Sequence, residues 1–407
     1  MGAIIAERIR QARLAAGLTL SETAHRLADL GQPITGAALS KYEHGKSTPR
    51  AQLLLKLAQA LEVKPSYFLA ETQTQIEWLA FRKHAALGER QQLRAQAVAE
   101  RIAEGQLWLQ TALYPDTQPQ TLRRVASTLE EVDAAALELR VVWGLGDAPI
   151  ESVTQAAEDH GCIVVGWQAA PDGFDGLSGW AQTGDERAPV AIVNLGVPDD
   201  RRRFNLAHEL GHLTLIVNGA DDKTQERFAH RFASTFLVPP AAAKRELGMR
   251  RRRLALDELG LLKTKYGLSM QAWARRARDV GIIEESYYTA WCKDFSSHGW
   301  RKDEPYSFEG QEEPQRLRQM TLRALAEGVI TEERARELCP EVVTSQPTPK
   351  PLGQRYTARE LMRLPREERN RILAEAAREA EEEYHTSKDL TDFEAFGEDD
   401  LYDEYPE

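Results

Sequence analysis

The chain has 407 residues, enough for two to four ordinary domains, and 42% of them are hydrophobic, enough for globular cores. No apolar run approaches the roughly 18–20 residues of a membrane span, which argues against a membrane-spanning helix. Three widely spaced cysteines (Cys162, Cys292 and Cys339) argue against a disulfide scaffold and against a four-cysteine zinc site. The charged opening MGAIIAERIR lacks the apolar core of a secretory signal, so a cytoplasmic location and no membrane partner are expected. The net charge of −11 is unevenly spread. Residues 1–70 hold nine Lys/Arg against five Asp/Glu, whereas residues 357–407 hold seven against seventeen. A basic head and an acidic tail suggest two different partners.

In chain order, residues 4–71 read as short helices without a convincing strand. IIAERIRQARLAAG ends on Gly17, LTLSETAHRLADLG has Ser21 as a candidate N-cap and Gly31 as its stop, and GAALSKYEHG and RAQLLLKLAQALEV follow. Residues 72–134 read as a mostly helical connector interrupted by YPDTQPQT. Residues 135–300 change character: CIVVGW, GLSGWAQTG and PVAIVNL are β-like runs, and two helical segments, RRFNLAHELGHLTLIVN and TQERFAHRFASTFLV, come after them. A helical extension over 301–340, a Pro/Ser/Thr linker over 341–356 and a helix with an acidic tail over 357–407 complete the expected organisation. The basic run Arg250–Arg253 reads as a solvated helix end, and LDELGLLKTKYGLSMQAWARRARDVGII as a structural helix pair.

The sharpest motif is His208-Glu209-Leu210-Gly211-His212. Positions i and i+4 share one helix face, so His208 and His212 can hold one Zn²⁺, with Glu209 beside it as a base toward an attacking water. Zinc needs a third protein ligand. Glu226 and His230 lie one turn apart on the following helix, and either fits.

FNLAHELGHLTL followed by ERFAHRFASTFLVP resembles the ImmA/IrrE metallopeptidase family. The second half carries Glu226, Ala229, His230, Phe232, Ala233, Leu237 and Pro239, with His230 where the family usually has Asn. The resemblance covers roughly residues 135–290. It implies a small zincin-like α+β domain that cuts a repressor-type protein, with Glu209 as general base and a strand such as PVAIVNL bordering the cleft.

LTLSETAHRLADLGQPITGAALSKYEHGKSTP resembles the Xre/Cro-type helix-turn-helix family through Leu18, Ala24, Leu27, Ile34, Leu39, Tyr42, Glu43, Gly45 and Pro49. It implies binding to double-stranded operator DNA, expected of a homodimer. Thr35 can cap the recognition helix. Thr35, Gly36, Ala37, Ser40 and Lys41 are the candidate base or phosphate contacts, and Lys46 and Arg50 are candidate phosphate contacts. Gly36 and Ala37 are too small for bidentate base readout, so specificity rests partly on DNA shape.

LMRLPREERNRILAEAAREAEEEYHTSKDLTDFEAFGEDDLYDEYPE, through Leu364, Pro365, Arg369, Ile372, Leu373, Tyr384, Leu390, Phe393, Phe396, Asp399 and Asp400, resembles the short antitoxins that pair with PIN-domain RNase toxins. Past Lys388 it holds nine acidic and no basic residues, interleaved with aromatics. Such a segment is expected to be largely disordered alone and to fold on a partner, with Phe393, Phe396, Asp399, Asp400 and Tyr402 as candidate partner contacts. The expected protein is therefore an α+β multidomain chain: an all-α helix-turn-helix head, a zinc metallopeptidase domain, a helical extension and an acidic tail. Its expected role is that of a DNA-binding antitoxin and autorepressor of a toxin–antitoxin operon. The alternative is a stress- or phage-responsive metalloprotease that cleaves a separate repressor.

Overall fold

The computed structural model describes residues 2–70, 74–79, 88–115, 117–168, 174–184, 186–301, 303–340, 342, 361 and 364–374. The chain divides into two compact units, Met1–Ile330 and Thr331–Glu407.

The first unit opens with four helices, α1 (Gly2–Ala15), α2 (Leu20–Asp29), α3 (Gly36–Glu43) and α4 (Ala51–Ala60), and a short 3-10 turn, Pro65–Leu69. Ile9, Leu27, Leu39, Leu57 and Phe68 form their fully buried centre. The cap of α2 is Thr19 rather than Ser21. Thr19 accepts from the Glu22 backbone N–H while the Glu22 side chain accepts from the Thr19 backbone, so the Thr-Leu-Ser-Glu spacing makes a reciprocal capping box. Gly31, at φ +76°, turns the chain out of α2.

The segment expected to be a helical connector holds a strand as well. β1 (Thr74–Trp78) precedes α5 (Glu89–Leu113), β2 (Arg124–Val125) and α6 (Leu129–Val142). Thr74, Ile76 and Trp78 alternate with Gln75 and Glu77, a period of two that suits an edge strand better than a helix. Next come α7 (Val153–Asp159), β3 (Ile163–Trp167), β4 (Gly176–Thr183), β5 (Glu186–Asn194), α8 (Asp199–Thr214), β6 (Leu215–Ile216) and α9 (Asp222–Leu237). α10 (Pro240–Leu247), α11 (Leu256–Tyr266), α12 (Met270–Asp279), α13 (Glu285–Ser297) and α14 (Arg316–Ala326) complete the unit.

The main sheet has the order β1-β4-β5-β3. β3 and β5 run parallel, and β4 is antiparallel to both of its neighbours. β2 and β6 form a separate two-stranded parallel pair. One face of the main sheet, with Leu177, Ala181, Val190 and Ile192, is covered by Ala95, Ala99, Ala103 and Leu107 of α5. The other face, with Val164, Ala191 and Val193, packs on Leu206 and Leu210 of α8 and on Phe228, Phe232 and Phe236 of α9. The pair α11–α12 joins this second core through Tyr266 and the fully buried Trp273, the structural role its sequence suggested. Arg250 and Arg251 pair with Glu284 and Glu258.

Between α13 and α14 the chain is irregular but tied down by carboxylates. Glu304 accepts from the backbone N–H groups of Met270 and Gln271, and Glu312 from those of Val153 and Thr154, so each caps a helix start from a distance in sequence. Glu312 also pairs with Arg203 at 3.2 Å, both side chains being almost fully buried.

In the second unit, α15 (Glu332–Leu338) is capped by Thr331, and residues 366–374 are helical. The partner-binding expectations at Phe393, Phe396, Asp399, Asp400 and Tyr402 lie outside the described residues.

Candidate functional site

α8 starts with Asp199 and Asp200 in its first turn, where carboxylates suit the positive end of the helix dipole. Gly211 lies where α8 meets α9. A Cβ there would come within 3.2 Å of Ala229 Cα and Phe232 Cβ, so glycine lets the two helices approach closely. That approach brings Glu226 over the histidine face. α9 is held in place from outside: Arg231 forks onto Asp133 of α6 at 2.8 and 2.6 Å and pairs with Asp279 of α12 at 3.0 Å, while Thr235 Oγ1 also donates to Asp133.

Three ligand-type residues converge between α8 and α9. His208 Nε2 lies 3.1 Å from His212 Nε2. Glu226 reaches both, with Oε2 at 3.3 Å from His208 Nε2 and Oε1 at 3.4 Å from His212 Nε2. Tetrahedral zinc with bonds of about 2.0–2.1 Å separates its ligand atoms by roughly 3.3 Å, close to the 3.1 Å between the two histidine nitrogens, so the cluster is a possible His/Glu metal site. Burial alone would raise the Glu226 carboxyl; hydrogen bonds and charge from His208 and His212 outweigh it and hold the group well below the usual carboxylate range.

His230 also lies near. Its ligand atom joins those of His208 and Glu226 within 4.8 Å. Its ring, however, tilts against that of His208 at 4.5 Å between centroids and stacks on Phe204 at 5.7 Å. One edge of the ring meets solvent, while the protein packed around the rest, with His208 and Arg275, pulls its pKa down to about 4. Glu226 reaches both histidines through its two oxygens, and His230 shares the cluster with His208 and Glu226.

The Glu209 carboxylate meets β4. The residue is 5% exposed, and Oε2 accepts a 2.6 Å hydrogen bond from Ser178 Oγ. A Cβ on Gly176 would sit 2.8 Å from Glu209 Oε1, so a side chain at that strand position would displace the carboxylate. β5, which holds PVAIVNL, is not the strand that borders this group. It lies inside the sheet with both edges paired, and β4 meets Glu209. Sequence reasoning assigned no role to Ser178 or Gly176. Their signal is two small residues, two positions apart, on the strand face that continues with Trp180 and Gln182.

In the head, Thr35 caps α3 by accepting from the Ala38 backbone N–H. Thr35, Ala37, Lys41, Lys46 and Arg50 are exposed, Ser40 is half-buried, and Gly36 lies against the start of α2. Glu43, at the end of α3, is buried and accepts a fork from Arg13 at 2.6 and 2.8 Å. It fixes α3 to α1 rather than facing a ligand.

Two family models match the chain: a helix-turn-helix over residues 9–68 and an IrrE N-terminal-like domain over residues 157–278. The chain thus carries a helix-turn-helix domain and an IrrE N-terminal-like domain. The IrrE-like match spans His208, Glu209, His212, Glu226 and His230 as well as Ser178. β1, α5 and α6 lie before it. No curated protein matches the chain, and no helix among the described residues is long and apolar enough to cross a membrane.

Proposed function

We propose that the protein is a transcriptional regulator whose IrrE-like domain is a zinc-dependent endopeptidase. The observation that carries this reading is the convergence of His208 Nε2, His212 Nε2 and Glu226, with the buried Glu209 next to His208 in α8 and hydrogen-bonded to Ser178. A zinc ion held by those three residues supplies Lewis-acid polarisation of a peptide carbonyl. Glu209 is the proton acceptor and donor of the reaction, and Ser178 fixes the carboxylate by donating to Oε2. The head binds operator DNA as a homodimer, with Thr35, Gly36, Ala37, Ser40 and Lys41 on the base-reading side of α3 and Lys46 and Arg50 toward phosphates.

The acidic, aromatic tail favours a biological role as antitoxin and autorepressor, with Phe393, Phe396, Asp399, Asp400 and Tyr402 gripping a PIN-type RNase toxin. The alternative is cleavage of a separate repressor in response to stress or phage. The test is metal content by elemental analysis, with wild type and Glu209→Gln each incubated with the protein that co-purifies. One zinc per chain and cleavage by wild type alone support the peptidase. Zinc without cleavage in either form, in the presence and absence of operator DNA, counts against it.

A further inference from the structure

β4 carries both groups that touch Glu209: the Ser178 hydroxyl and the bare Cα position of Gly176. One edge of β4 is paired with β5 along its whole length, from Gly176↔Val193 to Thr183↔Glu186. An extended peptide brought beside Glu209 by main-chain hydrogen bonds can therefore pair only with the outer edge of β4.

That edge is taken by the chain itself. β1 runs antiparallel along it from Thr74↔Thr183 to Trp78↔Gly179, and the Leu79 N–H continues the ladder by donating to Ser178 O at 3.0 Å. Ser178 thus holds Glu209 with its side chain and Leu79 with its carbonyl. Ile76 and Trp78 pack on the α5 side of the sheet, and Leu79 packs on the α8 side, the side of Glu209. Gly179 leaves room for this neighbour, since a Cβ there would meet Glu77 O at 2.7 Å and Ile76 Cγ2 at 2.9 Å. β1 lies outside the matched IrrE-like segment, on the stretch that joins it to the head.

The geometry points to the outer edge of β4 as the peptide-docking edge of the site, with Thr74–Leu79 as its built-in occupant. The substrate class is an extended peptide lying antiparallel to β4, with large apolar side chains at the positions of Ile76 and Trp78 and another opposite Ser178. Such a peptide docks only when β1 leaves, so withdrawal of β1 opens the site. What happens to the docked peptide rests on the peptidase reading; the docking does not.

The test uses the full chain carrying Glu209→Gln, so that no bond is cut, and a fluorescent peptide with the sequence of residues 74–79, TQIEWL, as probe. Trp78→Ala loosens β1. The Thr74 and Thr183 hydroxyls lie 2.6 Å apart, so Thr74→Cys with Thr183→Cys makes a reversible tether between β1 and β4. The Trp78→Ala protein should bind the probe at least tenfold more tightly than its parent. Oxidising the cysteine pair in the Trp78→Ala background should abolish that gain, and reduction should restore it. Equal affinity in the oxidised and reduced forms, or no binding in any form, overturns the proposal. If the released protein binds the probe but cuts nothing once Glu209 is restored and zinc is bound, the peptidase reading falls and the docking edge stands.

Discussion

Ser178 Oγ donates a 2.6 Å hydrogen bond to Glu209 Oε2 from the strand facing the helix that carries both histidines. A hydrogen bond to a charged group is worth about 1.5–3 kcal/mol. Ser178→Ala should therefore lower kcat for peptide hydrolysis by roughly 10- to 100-fold, with zinc content unchanged and Ser178→Thr restoring part of the rate. Gly176→Ala should be at least as damaging, because its Cβ would press on Glu209 Oε1 and on Ile192 O. Loss of zinc in Ser178→Ala would assign the serine to site assembly instead.

Glu226 lies within 3.4 Å of both His208 and His212, whereas His230 packs its ring against His208. Glu226→Ala should lower zinc affinity by at least 100-fold, as expected for loss of one of three protein ligands. His230→Ala should keep one zinc per chain. Competitive titration against a chelator reads both outcomes, and the reverse ranking would make His230 the third ligand.

Arg8 joins the head to the long helix that covers the sheet. Its guanidinium, 2% exposed, forks onto both Glu104 oxygens and also donates to Ala70 O. Glu104 is partly exposed, so breaking the pair should cost somewhat less than a fully buried one, about 2–3 kcal/mol. Arg8→Ala should lower the melting temperature and speed proteolysis between the head and α5. Combined with Glu104→Ala, the losses should be clearly less than additive.

Burial, helped by the nearby Glu7 and opposed by Arg10, pushes the Glu100 carboxyl up to about 7. The folded chain then keeps a proton that the unfolded chain releases near 4.5, the ordinary value. Its contribution to stability is complete below about pH 4.5 and is lost as the pH rises through 7. Glu158, also raised to about 7 chiefly by burial, acts in the same direction. Glu100→Gln should raise stability at pH 8 by on the order of 1–3 kcal/mol, change it little at pH 5, and so flatten the pH profile of Tm.

Lys41 near the end of α3, Lys46 in the loop after it and Arg50 just before α4 are exposed. If they meet phosphates, each change to Ala should weaken operator and random DNA about equally and reduce the salt slope of log K by roughly one. Replacing Thr35 should instead cost helix stability through the lost cap, by about 1 kcal/mol. Binding isotherms at several salt concentrations separate the two effects.

Helical spacing alone made the histidine pair legible and narrowed the third ligand to Glu226 or His230, because the spacings i, i+4 and one turn of the next helix are local. The head was legible for the same reason, down to the Thr35 cap. What sequence reading missed depends on contacts between residues far apart in the chain. Ser178 and Glu209 are 31 residues apart, and Thr74 and Thr183 are 109 apart. β1 was also masked by its neighbours: TQIEW alternates like a strand, but it runs straight into EWLAFRKHAAL, whose apolar spacing suits a helix. The choice of Thr19 over Ser21 as a cap turned on one detail, the glutamate three positions later that only Thr19 has.

The order of synthesis gives β1 a further consequence. A ribosome makes it roughly a hundred residues before the strand it covers, as the Thr74↔Thr183 register requires. By the time β4 emerges, its partner already waits in the nascent chain, and the edge is closed as soon as it forms. A chain started after residue 79 would carry the same histidines and the same glutamate but would display a bare, flat β4 edge throughout its folding. Such an edge pairs with whatever extended segment it meets first, including another copy of itself. Truncation upstream of the IrrE-like domain should therefore yield clumped protein rather than a smaller soluble enzyme.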